Sequence, residues 1–139
     1  MSDSSNEKRR AIKGFLVIAF ILLGTLLYFL GRNLFMEPPS LQGLSLVYRD
    51  RELTGGFTLD AEGGEDWEIE GCLLDPKRIV MLCQKELFTS KTSKNKKMSW
   101  LYHFDQEPEA GVWKLKISAK LIRGGLWERD LIVKDVILP

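Results

Sequence analysis

The sequence predicts one N-terminal transmembrane α-helix followed by an all-β domain, an antiparallel sandwich or small barrel of about seven strands. Three observations predict it. Gly14 to Gly31 is an unbroken apolar run, Glu37-Pro38-Pro39-Ser40 ends any helix that run forms, and apolar residues beyond it recur with period two in short segments. The 139 residues hold one ordinary domain plus an appendage, and an apolar content of 45% excludes a disordered chain. A net charge of +1 excludes a generally basic nucleic-acid binder, and the lone His103 excludes a two-histidine metal motif.

The helix comes first. GFLVIAFILLGTLLYFLG carries no charge over its 18 residues. As an α-helix it rises about 27 Å, close to the hydrocarbon thickness of a bilayer. Leu34, Phe35 and Met36 extend the apolar surface, Arg32 is expected to snorkel to the headgroups, and Tyr28, Phe29 and Phe35 suit the interface. The run is longer than the apolar core of a cleavable signal peptide, about 7 to 15 residues, and lacks a small-x-small site at its far end. It is therefore expected to persist as a signal-anchor. Lys8, Arg9, Arg10 and Lys13 precede it and only Arg32 follows closely, so the positive-inside rule places residues 1–13 as an unstructured cytoplasmic tail. Residues 14–36 are then the membrane anchor.

Residues 37–43 read as a proline-containing spacer, because each proline lacks an amide donor and disfavours helix before it. Residues 44–139 form the exported domain. Five of the 20 Lys/Arg and two of the 19 Asp/Glu precede residue 37, which leaves a charge of −2 beyond it. That balance predicts no strong attraction to nucleic acid or anionic lipid. The clearest strand is Val112–Leu121, where Trp113, Leu115, Ile117, Ala119 and Leu121 alternate with Lys114, Lys116, Ser118 and Lys120. Arg123-Gly124-Gly125 supplies a turn into LWERDLIVKDVIL, a long terminal strand paired with it. Earlier candidates are Leu44–Arg49, Gly56–Asp60, Trp67–Leu74, Ile79–Leu87 and Met98–Phe104. All four tryptophans are assigned to the core, with Tyr102 and Phe104. The segment Glu109-Ala110-Gly111-Val112-Trp113-Lys114-Leu115 resembles the lead-in to a late strand of exported immunoglobulin-like domains, over that one strand. The resemblance implies an immunoglobulin-like sandwich.

Cys72 and Cys83 flank an Asp75-Pro76-Lys77-Arg78 turn with proline second, suited to type I geometry. A four-residue loop sets Cys72 opposite Met81 and leaves the cysteines as diagonal neighbours, roughly 7 Å apart and too far for a relaxed disulfide. A shifted register sets them face to face, and an oxidising compartment favours the bond. Lys85, Lys91, Lys94, Lys96 and Lys97 punctuate a segment expected to be a basic hairpin tip. It is a candidate for binding phosphate headgroups, anionic glycan or an acidic protein face. Asp60, Glu62, Glu65 and Asp66 cluster around Gly63-Gly64, without the EF-hand spacing a calcium loop requires.

No GxSxG, phosphate loop or HExxH pattern occurs, and His103 lacks an evident base partner and nucleophile. The expectation is a non-enzyme with no catalytic residues, cofactor, metal or small-molecule substrate and no nucleic-acid partner. Its partners would be the lipid bilayer and other membrane or envelope proteins. The expected role is an accessory, assembly or scaffold subunit of a membrane complex, the bacterial inner membrane and periplasm being the expected site. The alternative is a membrane-tethered inhibitor or immunity-type binder of an exported hydrolase or toxin.

Overall fold

The computed structural model describes residues 2–61, 64–89 and 95–139. Helix α1 spans Ser2–Phe35. The strands are β1 (Ser40–Arg49), β2 (Glu52–Asp60), β3 (Asp66–Leu74), β4 (Val80–Thr89), β5 (Asn95–His103), β6 (Gly111–Leu121) and β7 (Arg129–Leu138). Every ladder is antiparallel, in two sheets of order β1-β2-β5 and β4-β3-β6-β7. The sheets stack with β1 beside β7 and β4 beside β5, and among the described residues no ladder joins them, so the domain is an open sandwich and not a barrel. It is immunoglobulin-like, with the fourth strand lying beside the third and not beside the fifth.

The period-two pattern becomes the core directly. Trp67, Ile69 and Leu73 of β3, Trp100 and Tyr102 of β5, and Trp113, Leu115 and Ile117 of β6 are all buried between the sheets. Phe57 meets Trp100 and Phe104 meets Trp113 edge to face, with ring centroids 5.1 Å and 5.4 Å apart. Buried polar tips find partners. Tyr102 Oη donates to the Gly71 carbonyl at 2.7 Å, Trp113 Nε1 to the Glu109 carbonyl at 2.8 Å, and Trp100 Nε1 to Glu86 Oε2 at 3.0 Å.

Four expectations change. Helix α1 runs outward to Ser2, because Glu7, Lys8, Arg9, Arg10 and Ala11 are strong helix formers that extend a helix already nucleated by the apolar run. Strand β1 begins at Ser40 and takes in most of the segment read as spacer; a bulge between Gln42 and Ser45, with Gly43 at φ 66°, hides the alternation there. Strands β4 and β5, which carry Lys85, Lys96 and Lys97, do not pair as the expected hairpin. Lys85 lies within β4, Lys96 and Lys97 within β5, and these strands belong to different sheets. Lys91 and Lys94 lie outside the described residues. Finally, β7 starts at Arg129, so residues 122–128 form a loop, and Trp127 stands outside the core at 37% exposure.

Candidate functional site

The strand directions place the starts of β1, β3, β5 and β7 and the ends of β2, β4 and β6 at one end of the sandwich, the end that faces α1. There the last two turns of the helix meet the β6–β7 loop and the lead-in to β3. Asn33, 2% exposed, is the centre of the junction. Its amide nitrogen donates to the Phe29 carbonyl at 2.8 Å within the helix and to the Gly124 carbonyl at 2.7 Å in the loop. Its amide oxygen accepts from the Leu126 backbone N–H at 2.9 Å. One side chain thus satisfies backbone groups of both bodies.

Arg32 is the second fastener. Its guanidinium donates to Glu65 Oε2 at 2.8 Å and to the Arg123 carbonyl at 3.3 Å, and lies 5.9 Å from the centre of the Tyr28 ring. In place of the expected snorkelling to headgroups, the Arg32 guanidinium is paired with a carboxylate of the sandwich. Arg129 adds a hydrogen bond to the Met36 carbonyl, which no helical amide caps. Gly124 makes the approach possible. Its φ is +73°, and a Cβ there would lie 2.7 Å from Phe29 Cδ1. Beside the junction, Met36, Glu37, Ser40, Asp60, Glu65 and Trp67 line a cleft of about 430 Å³.

Of the residues singled out by sequence, Glu65 enters this junction and Asp66 opens β3, its carbonyl accepting from the Ile122 N–H at 3.1 Å. Asp60 ends β2, and Glu62 lies outside the described residues. Lys8, Arg9, Arg10 and Lys13 line the far half of α1, all exposed. Asn33 escaped the sequence reading, although one amide directly after Arg32 at the end of an apolar run is a signal to search for.

Cys72 and Cys83 are joined by a disulfide on the outer face of the four-stranded sheet, directly opposite each other with Cα atoms 4.1 Å apart. The four-residue loop that set Cys72 against Met81 is corrected in two ways. The loop has one residue more, closed by Asp75 N–H to the Ile79 carbonyl at 2.9 Å and by Ile79 N–H to Asp75 Oδ1 at 2.8 Å, with Arg78 at φ 65°. A bulge then adds one further residue to β4 where Leu73 meets Leu74. Glu70 and the two sulfurs lie within 4.8 Å of one another, but the sulfurs are bonded together and offer no thiolate to a metal. Next to them Lys85 reaches Glu70 at 3.3 Å and Glu68 at 3.6 Å. The hydrogen bond to Glu70, then the charges of Glu68 and Glu70, hold its ammonium pKa above the ordinary lysine value. Lys96 pairs with Glu86 at 3.1 Å, while Lys97 is exposed on β5. Lys85 and Lys96 are thus engaged with carboxylates of their own domain.

At the opposite end, Met81, His103, Phe104, Asp105, Glu107 and Trp113 border a cleft of about 420 Å³. His103 lies on the open surface, 3.6 Å from Glu52 and 4.0 Å from Asp105.

Fold and junction together define a class: a single apolar helix fastened at its C-terminal end to a seven-stranded sandwich. No family model matches the chain, and no curated protein matches it. Among solved structures it is similar to part of β-glucosidase 3B from Thermotoga neapolitana in complex with glucose. The TM-score is 0.49 at 11% identity, over 79% of this chain and 19% of that one. The same enzyme in complex with α-D-glucose is similar at TM-score 0.43 and 11% identity, over 73% and 17%. The ApaA protein from Bordetella pertussis is similar at TM-score 0.40 and 10% identity, over 75% of this chain and 98% of that one. The chain spans about a fifth of the glucosidase's length. These likenesses carry no conclusion about function.

Proposed function

We propose that the chain is a single-pass membrane protein of a bacterial inner membrane, with its amino terminus in the cytoplasm and its sandwich in the periplasm. There it serves as an accessory, assembly or scaffold subunit of an envelope complex. The span is supported by α1 itself, which is long and apolar enough to cross a bilayer and is not covered by any other part of the described chain over its apolar window. The disulfide fits an oxidising compartment.

The junction carries the scaffold role. Asn33 and Arg32 couple helix orientation to sandwich orientation, so a partner that grips the span also aims the outer domain. An inhibitor that needs only tethering gains nothing from such a lock, because a flexible linker serves it better. Strand β7 ends its sheet with Val133 and Ile137 exposed, a backbone edge suited to strand addition by a partner.

Mass spectrometry of what co-purifies with natively expressed, tagged chain in mild detergent tests this. A stoichiometric set of membrane subunits is expected, and exchanging α1 for an unrelated span should reduce their recovery. Recovery of one soluble exported hydrolase or toxin, undiminished by that exchange, would replace the scaffold with the tethered inhibitor.

A further inference from the structure

Resting on the reading of α1 as a membrane span, we propose that the β6–β7 loop, residues 122–128, is embedded in the outer face of the bilayer, with Ile122, Leu126 and Trp127 in its interfacial zone. The depth follows from the contacts between loop and helix. Arg129 bonds at the level of Met36, Leu126 at Asn33, and Gly124 packs against Phe29. From Met36 down to Phe29 the helix descends about 10 Å at roughly 1.5 Å per residue, and the loop descends beside it. A crossing of the hydrocarbon takes about 20 residues, which counted from Gly14 ends at Asn33. Gly124 then lies just inside that boundary and Leu126 on it.

The chemistry of the loop agrees with that depth. Ile122 and Leu126 are each 46% exposed and Trp127 is 37% exposed, and Leu34 and Phe35 of α1 are likewise uncovered. Indole and aliphatic side chains next to a cationic Arg123 match the border between acyl chains and phosphates. Irregular backbone is tolerated at bilayer depth only where its polar groups are satisfied by protein. Asn33 does this for the Gly124 carbonyl and the Leu126 amide together.

The test uses the tryptophans. Trp67, Trp100 and Trp113 are at most 5% exposed, so Trp127 is the one tryptophan outside the core. Full-length chain and its Trp127→Phe variant are reconstituted in phosphatidylcholine vesicles, and the difference between their emission spectra isolates Trp127. Expected are a blue-shifted difference spectrum, strong loss with lipids brominated close to the headgroup, and little loss with aqueous acrylamide. Vesicle flotation read alongside tests the span itself. A chain that floats but whose Trp127 signal is red-shifted, quenched by acrylamide and indifferent to brominated lipid overturns the embedded loop and leaves the anchor standing. Protection from both quenchers places Trp127 against protein and overturns it too. A chain that does not float overturns the anchor, and the loop with it.

Discussion

Gly71 is set by a close approach and not by its backbone angles. A Cβ there would lie 2.1 Å from Trp100 Cζ3 and 2.6 Å from Tyr102 Oη, in the middle of the sandwich. Gly71→Ala is expected to cost about 1–3 kcal/mol or more through overpacking, read in a urea melt. Gly56→Ala, whose nearest neighbour would be Ser45 Oγ at 3.6 Å, should be far milder. Tyr102 gives a pH prediction. Burial, reinforced by the charge of Glu70, raises its phenol pKa above the ordinary 10.0. Above that pH the unfolded chain releases a proton that the folded chain keeps. The contribution of Tyr102 is therefore complete below pH 10 and is lost as pH rises towards the folded value. Alkaline titration followed by tyrosinate absorbance should show one late phenol. Tyr102→Phe should remove it, flatten the alkaline loss of stability, and cost about 1 kcal/mol near neutrality for the missing hydrogen bond.

At the scale of elements, two fastenings deserve separate tests. The disulfide ties edge strand β4 to β3 across a sequence separation of 11. Replacing both cysteines by serine is expected to cost about 2–3 kcal/mol by the chain-entropy argument, with amide exchange rising first along β4. The junction is independent of the core. Asn33→Leu leaves the Gly124 carbonyl and Leu126 amide without their partner, a loss of about 1–3 kcal/mol in docking. The Leu126 amide should exchange faster while the melt of the sandwich holds its midpoint. The seven strands were legible one by one because period two is a local signal, whereas the register of β3 against β4 was not. It depends on Asp75 folding back onto Ile79 and on a bulge that adds a residue to β4, and neither feature disturbs the hydrophobic pattern.

For the whole molecule, the proposed orientation rests on Lys8, Arg9, Arg10 and Lys13, which stand before the proposed span against Arg32 after it. Alkaline phosphatase fused after Pro139 is expected to be active outside the cytoplasm. Neutralising the four basic residues while adding lysines near Glu37 should reduce that activity. Arg32 is outnumbered four to one by the basic residues before the helix's apolar run. In the proposed topology, orientation and posture are separate properties, the first argued from flanking charge and the second from the junction.

By itself the sequence determined the helix, its uncharged 18-residue core, the number of strands and which of their side chains face inward. Each of these follows from residues within a few positions of one another, where hydrogen bonding and burial have a fixed period. Tertiary structure alone decided that β4 sits beside β3 and away from β5, that Trp127 lies outside the core, and that Arg32 turns to Glu65. It also decided that Asn33 reaches Gly124, 91 positions further along the chain. Such contacts leave no periodic trace in the sequence, because they depend on where two completed bodies come to rest against each other.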